Sequence, residues 1–141
     1  MPARSPAAAI LVVEDDRHAL NGYIEFLWSA GFQVTGVPDG AEALAILHRH
    51  PADLVVTDIT VPGLSGFEVA AALRANPDLR DIPIIGLTGH WTADVRARAA
   101  GVGMTAMLLK PCVPAHLLAE VERLLRPRIA RTATDHTDGQ G

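Results

Sequence analysis

The stretch Asp53-Leu-Val-Val-Thr-Asp58-Ile-Thr-Val-Pro62-Gly63-Leu-Ser-Gly66 decides how the chain is read. Leu54 to Val56 is an apolar run short enough to be a buried strand, and it delivers a carboxylate, Asp58, just before the chain breaks at Pro62-Gly63. The same rhythm extends to either side. Short apolar runs at Ile10 to Val13, Phe32 to Val37, Ile82 to Leu87 and Ala106 to Leu109 alternate with segments of helical period. Five strands with intervening helices predict an α/β fold, a parallel sheet covered on both faces. Leu20, Ile24, Leu27 and Trp28 mark the first helix, closed by Gly31; Ala41, Leu44 and Leu47 mark the second, opened by Asp39 as N-cap. Ser65 caps a third that stops at Asn76-Pro77, a short fourth follows Trp91, and the fifth begins at Pro114 and repeats Leu117, Val121 and Leu125.

With 141 residues the chain makes one domain, expected over residues 9–126 behind a short extension of residues 1–8. Residues 127–141 are polar and aperiodic, and are expected to form a disordered tail. Apolar residues make up 49% of the chain and aromatic ones 4%, which predicts an aliphatic core. The net charge of −4 speaks against a broad nucleic-acid footprint and direct DNA binding. Cys112 is the only cysteine, so no intrachain disulfide can form and a reducing, cytoplasmic setting is expected. The apolar stretch Ala7 to Val13 runs into Glu14-Asp15-Asp16 instead of a cleavage site, and no apolar run approaches the ~20 residues that span a bilayer.

In an open parallel sheet with right-handed crossovers the strand carboxyl ends share one edge, so the residues leaving each strand assemble the site. These are Glu14-Asp15-Asp16, Asp58, Thr88 and Lys110. Two carboxylates ~4 Å apart repel by roughly 4 kcal/mol at an effective dielectric of ~20, so such a cluster calls for a cation. All-oxygen ligands with room for water suit Mg²⁺. A carboxylate nucleophile, Mg²⁺, the Lys110 ammonium and the Thr88 hydroxyl together describe a phosphoryl-accepting site. Singly, each residue has another reading: Asp58 as a turn former, Glu14-Asp15-Asp16 as solvated surface, Thr88 as a helix cap. Lys110 stands apart from this, because 11 of the 12 basic residues are Arg and the only Lys ends a strand. The six histidines show no metal-ligand spacing, and Cys112 reads as a small apolar side chain.

Four motifs in order, Ile-Leu-Val-Val-Glu14-Asp15-Asp16, Asp58-Ile-Thr-Val-Pro62-Gly63-Leu-Ser-Gly66, Gly86-Leu-Thr88-Gly89 and Leu-Leu-Lys110-Pro111, resemble the response-regulator receiver domain of bacterial two-component signalling, in its single-domain, chemotaxis-regulator-like form. The resemblance covers Ile10 to Leu125. It implies the flavodoxin-like strand order 2-1-3-4-5. It also implies that Asp58 is the phosphoacceptor, and that Asp15, Asp58 and the Thr60 carbonyl bind Mg²⁺, with Glu14 acting through water. Asp58 would attack a phosphohistidine of a sensor histidine kinase or phosphotransfer protein in line, while Mg²⁺ and Lys110 offset charge on the phosphoryl oxygens. Thr88 would then turn inward and alter the surface of helix four, strand five and helix five, read by a downstream protein. The family's pattern places the acidic pair straight after the first strand, which selects Glu14 and Asp15 over Asp15 and Asp16. Thr60 and His90 fall at the variable positions that influence phosphate lifetime. The departure is Met107, where the family commonly has an aromatic ring that follows the threonine. Without a ring, the loop Gly89-His90-Trp91 is expected to carry the change, so Trp91 moves and Trp28 stays silent.

Three other readings compete with a stand-alone receiver. A receiver module from a larger regulator or hybrid kinase shares the fold; Met1 and the polar tail favour the single domain. A haloacid-dehalogenase-type phosphatase also uses a strand-end Asp but wants a second Asp where Thr60 stands. A phosphorylation-independent interaction module would be favoured by loss of Asp15, Asp58 or Lys110, and all are present.

Overall fold

Strand β3 (Leu54–Asp58) is buried along its whole length and lies at the centre of a five-stranded parallel sheet, order β2-β1-β3-β4-β5, in a computed structural model that describes residues 7–134. The other strands are β1 (Ala9–Val13), β2 (Gln33–Val37), β4 (Ile84–Thr88) and β5 (Ala106–Leu109). Helices α1 (Arg17–Ser29), α2 (Gly40–Arg49), α3 (Gly66–Ala75), α4 (Ala93–Gly101) and α5 (Pro114–Thr134) alternate with them. This is the flavodoxin-like arrangement, with the order reversing between β1 and β3.

The period of two along each strand divides the core into two layers. Ile10, Val12, Leu54, Val56, Ile85 and Leu87 face one way, against Tyr23 and Leu27 of α1 and Leu117, Val121 and Leu125 of α5. Leu11, Val13, Val55 and Ile84 face the other, against Ala43 and Leu47 of α2 and Val69, Ala70 and Leu73 of α3. The helix starts follow the capping residues: Asp16, Asp39 and Thr92 accept from amides of the first turns of α1, α2 and α4, and Ser65 forms a reciprocal capping box with Glu68 at α3. Gly31 takes φ +103 just beyond α1, a conformation that side chains disfavour.

Some boundaries differ from expectation. β3 runs on through Thr57 to Asp58, since pairing with Gly86 and Leu87 of β4 carries these polar residues. β4 begins at Ile84, after Pro83, which has no amide to give to a ladder. The largest difference is α5, which continues through Pro127 to Thr134, so residues 127–134 are helical where a disordered tail was expected. Pro127 removes one helical hydrogen bond, yet Arg128, Ala130, Arg131 and Ala133 after it are good helix formers. Residues 135–141 of the expected tail, and residues 1–6 of the expected extension, lie outside the described residues.

Candidate functional site

Register sets the site. Val13 pairs with Thr57, Asp58 with Leu87 and Thr88 with Leu109, so β1, β3, β4 and β5 end together and deliver Glu14, Asp58, Thr88 and Lys110 to one edge. Asp58 is 4% exposed and Glu14 1%, whereas Asp15 lies open to solvent. Carboxylate oxygens of Glu14, Asp15 and Asp58 lie within 4.8 Å of one another.

The Lys110 ammonium reaches in from β5 and donates to Asp58 Oδ2 at 2.5 Å and to Glu14 Oε1 at 3.0 Å. The second oxygen of Glu14 accepts the Asp16 amide at 3.0 Å, and Asp58 Oδ1 accepts both the amide and the hydroxyl of Thr60, at 2.9 and 3.0 Å. Three carboxylates against one ammonium leave a surplus of two negative charges in a small, half-dry volume. Burial, and then the Asp58 charge, push the Glu14 carboxyl above its ordinary range against the pull of the Asp16 amide and Lys110. Burial works against the Lys110 ammonium, but its bonds to Asp58 and Glu14 outweigh that and raise it well above an ordinary lysine.

The loop after β3 is built around close approaches. A Cβ on Gly66 would lie 2.7 Å from the Asp58 carbonyl oxygen and from Ile59 Cα, and one on Gly40 would lie 2.2 Å from the Leu64 oxygen. Glycine at these positions lets α3 press against the backbone of Asp58 and Ile59, and α2 against the loop at Leu64. Thr88 is buried, and its hydroxyl donates to the His90 carbonyl and accepts the His90 amide, each at 3.1 Å. Asp58, Thr60, Thr88, Gly89, His90 and Lys110 line a cleft of about 400 Å³ whose apolar wall is Ile59 and Val95.

The two possible acidic registers part clearly: Asp16 is the N-cap of α1, accepting from the amides of His18 and Ala19, and Asp15 is the residue that joins Glu14 and Asp58. Thr92, not Thr88, caps α4. Met107 is half-buried, and its sulfur lies with that of Met104 in the space left by Gly86. Not foreseen in the sequence is Phe67, buried beside Gly66 with the Arg98 guanidinium 4.3 Å from its ring centre. Only the arrangement of α4 over α3 reveals that pair.

The chain from residue 10 to 122 matches the model of the response regulator receiver domain. It belongs to that family. The receiver is 38% identical over 129 residues to the transcriptional regulatory protein PrrA of Mycobacterium tuberculosis, a match covering 92% of this chain and 54% of that one. It is 37% identical over 119 residues to the regulator QseB of Haemophilus influenzae, covering 84% and 53%. The receiver thus spans about half the length of these relatives. Among solved structures it resembles the chemotaxis response regulator CheY4 of Vibrio cholerae, with 31% identity, TM-score 0.80, and coverage of 84% of this chain and 99% of that one. It also resembles the receiver domain of the sensor histidine kinase PA1611 of Pseudomonas aeruginosa, solved with magnesium in the active-site cleft: 32% identity, TM-score 0.76, coverage 83% and 96%. Two-component signalling is therefore the setting of this receiver, and Mg²⁺ the family's cofactor. Among the described residues no helix is long and apolar enough to cross a membrane.

Proposed function

We propose that this receiver is a phosphorylation switch in which Asp58 accepts a phosphoryl group from a phosphohistidine of a sensor histidine kinase or phosphotransfer protein. The observation that carries the reading is the formal surplus of two negative charges around Asp58, Glu14 and Asp15, which no ion pair besides those of Lys110 offsets among the described residues. Lys110 holds one Asp58 oxygen and Thr60 the other, so the carboxylate is aimed by fixed donors. One of its oxygens forms the bond to phosphorus; the bond from phosphorus to the donor nitrogen breaks, and its electron pair stays on the imidazole. Lys110 can leave Asp58 for a phosphoryl oxygen without leaving the site, since Glu14 retains it. The Thr88 hydroxyl, a wall of the same cleft, can turn from the His90 backbone to a second oxygen.

Glu14, Asp15, Asp58 and the Thr60 carbonyl would hold Mg²⁺, which when bound neutralises the carboxylates and stabilises charge on the phosphoryl oxygens. The donor set fits a hard divalent cation: all oxygen, three carboxylates within 4.8 Å, one of them exposed to water. Thr60 and His90 border the cleft where water would approach an aspartyl phosphate, and we assign them the control of its lifetime. Output runs through contact with a downstream protein, without DNA contact by this negatively charged domain, in the cytoplasm, where Cys112 stays a thiol. Thr60 donates its hydroxyl to Asp58 and cannot serve as the second carboxylate of a dehalogenase-type phosphatase.

Incubation with Mg²⁺ and acetyl phosphate, read by intact mass, should add one phosphoryl group to wild type and none to Asp58→Asn. Equal labelling of both would place the nucleophile elsewhere.

A further inference from the structure

We propose that Arg98 is a positioning residue that latches α4 over the phosphoacceptor loop through the Phe67 ring, and that phosphorylation works against this latch. The inference rests on the phosphoryl-acceptor reading above. Helix α4 is the most loosely seated of the helices: Ala99 is its one buried residue, whereas α3 of similar length buries Gly66, Phe67, Val69, Ala70 and Leu73. Its sequence, Ala-Asp-Val-Arg-Ala-Arg-Ala-Ala-Gly, has little apolar area to hold it to the sheet. What it covers is a small cluster of Ile59, Phe67 and Ala99, edged by Val95, Met104 and Met107. Arg98 lies on the outside of this cluster, with its guanidinium 4.3 Å above Phe67, a distance at which the ring face attracts the cation.

Phe67 ties the latch to the site. It follows Gly66, whose Cα abuts the Asp58 carbonyl and Ile59 backbone so closely that a Cβ would overlap them. Ile59 is both the neighbour of Asp58 and a member of the cluster under α4. On the other side, α4 is attached to β4 by Gly89 to Thr92, and the Thr88 hydroxyl holds the start of that loop through the carbonyl and amide of His90. A phosphoryl group on Asp58 that draws this hydroxyl inward releases both bonds and frees the leading end of α4. The loop cannot move far while Arg98 keeps the trailing end on Phe67. Latch and phosphoryl group therefore favour different placements of α4, and breaking the latch strengthens binding at Asp58 as it frees α4 for the placement that the phosphoryl group favours.

The test is a double-mutant cycle of Arg98→Ala and Phe67→Leu, with Arg98→Lys as the conservative variant, read by amide hydrogen exchange of α4 without ligand and by the affinity for beryllofluoride in saturating Mg²⁺. Arg98 is exposed, so its loss does not threaten folding. A surface cation–π contact of the usual strength predicts that Arg98→Ala speeds α4 exchange by about two- to fivefold and tightens beryllofluoride binding. Arg98→Lys should fall between, and Arg98→Ala should change neither quantity once Phe67→Leu has removed the ring. Faster exchange with unchanged or weaker binding would make the contact merely structural. An effect that persists without the ring would assign it to the helix end, and no effect on either quantity would remove the latch altogether. Wild type that binds no beryllofluoride in Mg²⁺ would instead overturn the phosphoryl-acceptor reading, and the coupling with it.

Discussion

The two edges of the sheet handle charge in opposite ways. At the edge where strands begin, Arg74 reaches from α3 and spends its guanidinium on backbone: it donates to the Gly103 carbonyl at 2.7 and 3.0 Å and to those of Arg80 and Ile82 at 2.8 and 2.7 Å. Burial lowers the Arg74 pKa, with the Asp81 charge opposing, and its donors meet neutral carbonyl oxygens of the α3–β4 and α4–β5 turns. At the edge where strands end, three carboxylates face one ammonium, and two of the three are buried. Arg74 fixes neutral oxygens of two turns; the strand-end cluster brings together more carboxylates than ammonium groups. A cation bonded to backbone carbonyls ties turns together, whereas clustered carboxylates at strand ends mark a candidate functional site.

Substitutions at the two edges should have opposite effects. Lys110→Ala should slow labelling by acetyl phosphate by about 100-fold or more, the usual cost of losing a donor to a charge-bearing transition state. A rate within a few-fold of wild type would mean that Lys110 serves the resting fold alone. Arg74→Ala should do the reverse. Leaving the carbonyls of Gly103, Arg80 and Ile82 unpaired should lower stability in urea by about 2–3 kcal/mol, with the extent of labelling of the folded protein unchanged. Reduced labelling at full stability would erase the distinction between the edges.

Asp15 should separate metal binding from stability. As the exposed member of the acidic cluster it contributes little to the fold, so Asp15→Ala should change stability without metal by less than about 0.5 kcal/mol. It should weaken Mg²⁺ binding by about tenfold or more in a calorimetric titration, because one of the charges attracting the ion is gone. Unchanged Mg²⁺ affinity would reject Asp15 as a ligand.

The smallest effect is optical. Trp91, 41% exposed with Arg96 5.3 Å from its ring, precedes α4 on the loop that Thr88 anchors, whereas Trp28 is 70% exposed on α1. Beryllofluoride with Mg²⁺ should alter tryptophan emission in Trp28→Phe and leave it nearly constant in Trp91→Phe. The opposite pattern would route activation through the α1 side of the sheet.

Much of this architecture is legible along the chain because it rests on local rules. Alternation of short apolar runs with helical periods yields the five strands, and Asp39, Ser65 and Pro114 start their helices through their own backbone chemistry. Residues leaving strands on one edge could be listed without coordinates, since parallel strands with one-handed crossovers leave no other placement for Glu14, Asp58, Thr88 and Lys110. What stayed hidden depends on distance in three dimensions. Pro127 reads locally as a stop, yet α5 passes through it. Arg98 and Phe67 lie on different helices, and no periodicity joins them. Met107 could be recognised as a departure, but its sharing of the Gly86 recess with Met104 follows from how α4 and β5 pack. Arg74, indistinguishable in sequence from other helical arginines, is known as a clamp only from its carbonyl partners.

On the proposed reading, the carboxylate cluster at the strand ends readies Asp58 to take a phosphoryl group. This is tested most directly by locating that group on wild-type protein, through fragment mass analysis after brief exposure to acetyl phosphate with Mg²⁺ and, in parallel, with a chelator. One phosphoryl group is expected, on the peptide containing Asp58, formed with Mg²⁺ and scarcely at all without it. A group found on Asp15, Glu14 or any other side chain, or one that forms equally well with the chelator present, would contradict that reading.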